Sequence, residues 1–142
     1  MKNMLSATCR GIACAASILM VAAPAAAQQA RVENPVAEFT GLDKITGRTI
    51  TFDVYIDETV QFGALQVTPR VCVSSGEGEE PRTESFVDVD EITLDRTIRR
   101  IFSGWMFAES PGLNAVEHAV YDVWLKACKG ESEVPPPDGP SD

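Results

Sequence analysis

Thr49-Ile50-Thr51-Phe52-Asp53-Val54-Tyr55-Ile56 sets the fold class, because its apolar residues return at every second position. Ile50, Phe52, Val54 and Ile56 share one face, while Thr49, Thr51 and Asp53 share the other, the period of a half-buried strand and not of a helix. Five further segments extend the reading. Residues 64–73 are β-branched and apolar, with Pro69 in their middle marking an edge position or a bulge. Residues 86–92, 98–107 and 120–128 follow, and residues 43–48 form the turn that joins a first strand over 37–42 to the quoted one. Short strands at regular spacing predict an all-β domain, a small antiparallel sandwich or barrel. One helical turn or tight loop is expected at 110–117, with Ser110 as N-cap, Pro111 as first helical residue and Gly112 weakening it.

Outside this block the composition changes. Residues 1–27 read as a secretory signal peptide: Lys2 and Arg10, an apolar run from Gly11 to Ala23, and Ala25-Ala26-Ala27 before Gln28. The run is too short to span a bilayer, and Pro24 ends it. Cys14 stands before most of the run and so does not match a lipidated cysteine. The expected address is the periplasm, with no membrane insertion after cleavage. Residues 28–35 form a polar lead-in, 36–129 the single β-rich domain, and 130–142 an acidic tail with Pro135-Pro136-Pro137, expected to be disordered. Residues 74–84 form a glycine- and glutamate-rich loop expected to be a solvated hairpin connection.

The leader holds two of the 12 basic residues and none of the 21 acidic ones, leaving 10 against 21 and a formal charge of −11. Such a chain repels phosphate backbones and anionic lipid, which argues against nucleic acid and direct electrostatic membrane docking. It retains two of the four cysteines, Cys72 and Cys128. In an oxidising compartment an even pair in a small domain reads as a structural disulfide. No CxxC spacing is present and His118 is the single histidine, so neither a redox nor a metal pair is expected, and no cofactor motif is found.

Candidate chemistry is sparse. His118 and Asp122 suggest a carboxylate-oriented imidazole, with Ser103 or Ser110 as nucleophile, but no GxSxG accompanies them and the reading favours a histidine that fixes the approach to the last strand. Asp88, Asp90 and Glu91, and separately Asp57-Glu58, are acidic clusters without a calcium-loop pattern, read as solvated faces. Trp105 and Phe107 point together on one strand, and Tyr121 and Val123 on another with Trp124 facing away, so at least one aromatic is expected to face solvent. The expected recognition surface is the loop over 108–119 with the strand ends that flank it: Trp105, Trp124, Asn114, Glu117 and His118.

Several strings together resemble a known family. Gly41-Leu42-Asp43-Lys44-Ile45-Thr46-Gly47-Arg48, Phe62-Gly63, Thr68-Pro69-Arg70-Val71-Cys72, Phe102-Ser103-Gly104-Trp105-Met106-Phe107 and His118-Ala119-Val120-Tyr121-Asp122-Val123-Trp124 with Cys128 resemble an uncharacterised alphaproteobacterial periplasmic family, domain of unknown function 2155. The resemblance runs from about Phe39 to Cys128 and implies a periplasmic single-domain protein with the two cysteines paired. His118-Ala119 stands where the resemblance leads one to expect His-Pro. The family brings no activity. Two functions follow as expectations: a non-enzymatic accessory or binding domain contacting an envelope protein or cell-wall glycan, which is favoured, and a small polysaccharide hydrolase drawing on Asp88, Asp90, Glu91, Asp122 and Glu117. A small β-domain does not readily enclose the pocket a hydrolase needs.

Overall fold

The computed structural model describes residues 30–116 and 118–137. The expected leader, Glu117 and residues 138–142 lie outside the described residues. Eight strands follow in order: β1 (Arg31–Glu33), β2 (Val36–Asp43), β3 (Arg48–Tyr55), β4 (Val60–Phe62), β5 (Leu65–Ser75), β6 (Thr83–Ile92), β7 (Ile98–Phe107) and β8 (Tyr121–Lys129). All pairings are antiparallel. One sheet runs β1-β5-β6-β7 with β4 also on β5, and the other runs β3-β2-β8. They pack face to face as a sandwich and do not close into a barrel.

The alternation read from β3 places Val54 in the core and packs Ile50, Phe52 and Ile56 against it. Ala37, Phe39, Val123 and Leu125 from the three-stranded sheet meet Leu65, Val67, Val87, Val89 and Met106 from the other, all nearly or wholly removed from water. A disulfide joins Cys72 of β5 to Cys128 of β8, with Cα atoms 5.7 Å apart, and so ties one sheet to the other.

Pro69 sits at a bulge, where the β5–β6 register shifts between Pro69 and Val71. On the opposite edge of β5, β4 pairs through Val67 and β1 begins at Val73, so the residue without an N–H falls where no ladder bond is required of it. Its carbonyl accepts from the Asp57 N–H at 2.8 Å. β1 and β4, each three residues long, were not expected from the sequence. β1 lies inside the polar lead-in.

Over 110–116 the chain makes tight turns and not a helix. Leu113 N–H donates to the Ser110 carbonyl at 3.1 Å, but Gly112 adds backbone entropy that an isolated turn does not offset. Val116 is drawn into the core instead. The tail is held over its first residues: Ser132 Oγ donates to Asp53 at 2.6 Å and Tyr55 donates its hydroxyl proton to the Val134 carbonyl at 2.6 Å. The first residues of the tail thus touch β3 without forming a strand or helix.

Candidate functional site

At one end of the sandwich the β2–β3 turn, the end of β6 and the entry to β8 converge on His118. Its ring Nδ1 accepts the N–H groups of Val120 and Tyr121, both at 3.1 Å. Two donors aimed at Nδ1 need a lone pair there, which places the ring proton on Nε2, 3.2 Å from Glu91 Oε1. Lys44 Nζ donates to the His118 carbonyl at 2.8 Å and pairs with Asp122 at 2.8 Å. The carboxylate at the imidazole is therefore that of Glu91, and the cation at Asp122 is Lys44. Both ring nitrogens are occupied in holding the approach to β8. Arg99 hydrogen-bonds Glu91 and, against a smaller opposing effect of burial and with help from His118, holds its carboxyl below the usual range.

An aromatic series reaches this end from the core. Phe39, Phe52, Phe62, Tyr121 and His118 follow one another with ring centroids 6.0, 5.8, 5.5 and 5.4 Å apart. The close approach of Tyr121 and Phe62 depends on glycines, since a Cβ on Gly63 would lie 2.3 Å from the Tyr121 ring and one on Gly41 2.7 Å from that of Phe62.

The outer face of the five-stranded sheet carries a second polar group. Thr68, Asp88 and Ser103 are cross-strand neighbours on β5, β6 and β7. Asp88, its side chain only 9% exposed, accepts from Ser103 at 2.7 Å and Arg70 Nε at 2.9 Å and lies 3.2 Å from Arg100. Burial acts to raise its pKa, but the Ser103 and Arg70 hydrogen bonds and the charges of Arg100 and Arg70 outweigh it and hold the carboxyl low. Arg70 also reaches Asp57, and Arg100 reaches Asp90. Sequence reasoning missed the arginines. The available signal was a single aspartate between Val87 and Val89, at an outward position where burial needs donors from both neighbouring strands.

Beside this group Phe86 and Trp105, cross-strand neighbours, meet edge to face at 5.6 Å, and Trp105 is 37% exposed. Trp124 alternates with the buried Val123 and Leu125, so it stands on the outer face of the other sheet. It borders a groove of about 340 Å³ with Pro111, Gly112 and Ala115. Asn114 donates its side-chain N–H to the Trp105 carbonyl at 2.7 Å, fixing the loop to β7. The two tryptophans thus flank the loop from opposite faces of the sandwich and do not form one platform. Ser110 lies in the loop, away from the Ser103–Asp88 bond.

The profile of a bacterial family described as "Uncharacterized protein conserved in bacteria (DUF2155)" matches residues 37–128. The chain belongs to this family. Uncharacterized protein RP359 of Rickettsia prowazekii (strain Madrid E) is similar to this DUF2155 domain, 24% identical over 87 residues that make up 61% of this chain and 56% of the relative. The chain thus spans just over half the length of that relative. No solved structure matches.

In this DUF2155 domain, the strings that carry the resemblance fall where the fold is most constrained. Gly41 and Gly63 admit the rings of Phe62 and Tyr121, Arg70 and Ser103 hold Asp88, Cys72 meets Cys128, and His118 fixes the start of β8.

Proposed function

We propose that this is a non-enzymatic binding domain of the bacterial cell envelope, secreted to the periplasm and contacting an envelope protein or cell-wall glycan. The contact is made by Trp105, Trp124 and the loop over 108–119, with Asn114 holding that loop and His118 holding its exit. One observation carries the reading: both tryptophans stand on outer sheet faces, one 37% exposed and one at a groove, and neither fills the core. Tryptophan is the residue in which interface binding energy concentrates. The acids that a hydrolase would use are committed to cations: Asp88 to Arg70 and Arg100, Asp90 to Arg100, Glu91 to Arg99, Asp122 to Lys44. Glu117 lies outside the described residues.

The address is supported by Lys2, Arg10, the apolar run and Ala25-Ala26-Ala27. Mass spectrometry of the exported protein is expected to find Gln28 as first residue, and a mass that begins at Met1 or carries lipid on Cys14 overturns it. Trp105→Ala and Trp124→Ala proteins, incubated with purified peptidoglycan sacculi and separately cross-linked to envelope proteins in cells, are expected to lose capture while melting within a few degrees of the parent. Undiminished capture by both variants in both assays refutes the surface.

A further inference from the structure

On the side of the sandwich away from Trp105, β3 is the edge of its sheet: it pairs with β2, and no strand among the described residues pairs with its other edge. This edge is eight residues long, from Arg48 to Tyr55, with no proline and no register break. Two of the devices that ordinarily blunt an edge, proline and a bulge, are thus missing along it, while Arg48 and Asp53 leave it charged. A groove of about 720 Å³ is lined by Thr51, Phe52 and Asp53 in the middle of it. Phe52 and Val60 give the groove apolar contact area, while Glu38 and Asp53 line it on the outer face and the tail residues Glu131 and Glu133 form its far wall.

The charge of this groove is net negative, with Glu38, Asp53, Glu131 and Glu133 against Lys129. Lys129 pairs with Glu38 and Asp53, and Lys126 with Glu38, but Glu131 and Glu133 make no ion pair among the described residues. The tail contributes through side chains and one carbonyl: Ser132 holds Asp53 and Tyr55 holds the Val134 carbonyl, so the β3 backbone edge stays open beneath it.

We propose that β3 and this groove accept an extended, basic segment of a partner protein as an added antiparallel or parallel strand. Main-chain hydrogen bonds to the β3 edge supply affinity, alternate apolar side chains pack toward Phe52 and Val60, and lysine or arginine on the other face meets Glu131 and Glu133. Charge complementarity selects the occupant. A second copy of this chain, itself formally −9, is repelled.

The probe is a peptide of alternating lysine and valine, compared with one of alternating glutamate and valine, added to the mature protein at low salt. Expected are binding of the lysine peptide, slowed amide exchange confined to the β3 edge, and affinity about tenfold weaker in Glu131→Lys/Glu133→Lys. Because these two residues lie in the tail, the variant leaves the core intact, and unchanged disulfide content and melting confirm it. Equal binding of the two peptides, protection elsewhere than β3, or β3 protection that grows with protein concentration in the absence of peptide each overturns the proposal, the last in favour of a second copy. Trp105→Ala is expected to leave peptide binding unchanged, which separates this surface from the one proposed above.

Discussion

At Gly63 two constraints coincide: a backbone φ of +58°, and the Tyr121 ring lying where a Cβ would be. Either alone disfavours other residues, and together they make the position specific to glycine. Gly63→Ala must strain the turn and push Tyr121 away from Phe62 and His118. An expected loss of about 1–3 kcal/mol follows from overpacking alone, checked by urea unfolding. An accompanying change in the Tyr121 ring resonances in NMR spectra locates the damage. His118 belongs to the same cluster and acts as a post for the backbone of β8, a role its sequence neighbour Asp122 does not share.

Along β7 the two faces have opposite fates. Met106 is 1% exposed and lies in the core, whereas its neighbour Trp105 stands on the outer face against Phe86. Met106→Ala is expected to cost about 2–5 kcal/mol, because it leaves a cavity between two sheets. Trp105→Ala leaves no internal void, and loss of its edge-to-face contact with Phe86 is expected to cost less, about 0.5–1.5 kcal/mol. Denaturation midpoints of the two variants test the register directly, since a one-residue slip of β7 would exchange the two results.

For the molecule as a whole, stability rests on the inter-sheet staple and on carboxylates held ionised. The bond between Cys72 and Cys128 closes a loop across a sequence separation of 56. The chain-entropy relation gives about 4 kcal/mol for such a loop, so Cys72→Ser/Cys128→Ser is expected to unfold at clearly lower urea. Asp88, Asp53, Glu91 and Asp43 all have folded pKa values below their unfolded ones. Their stabilisation is complete above the unfolded carboxylate range of about 4, and is lost as pH falls through the lower folded values. The urea midpoint is therefore expected to drop between about pH 5 and pH 2.5. Asp88→Asn, lacking one of these groups, starts lower at pH 5 and falls less steeply.

The alternation in β3, the turn at 43–48, the run of strands and the pairing of two cysteines were determined by sequence alone, because each is expressed within a short window or by a count of two. That at least one of the aromatics faces solvent followed from the same period, but that both tryptophans stand on outer faces did not. Tertiary structure alone decided that β3 is an edge, that β8 returns to β2, and that β1 and β4 are strands at all, since three residues are too few to show a period. It also decided that Asp88 is held by Arg70, Ser103 and Arg100, that His118 faces Glu91 and not Asp122, and that Ser132 and Val134 return to β3. Side-chain alternation is a property of one strand's backbone and is written locally. Which strands adjoin, and which charges they bring together, is fixed only when both sheets bury their apolar faces in a common register.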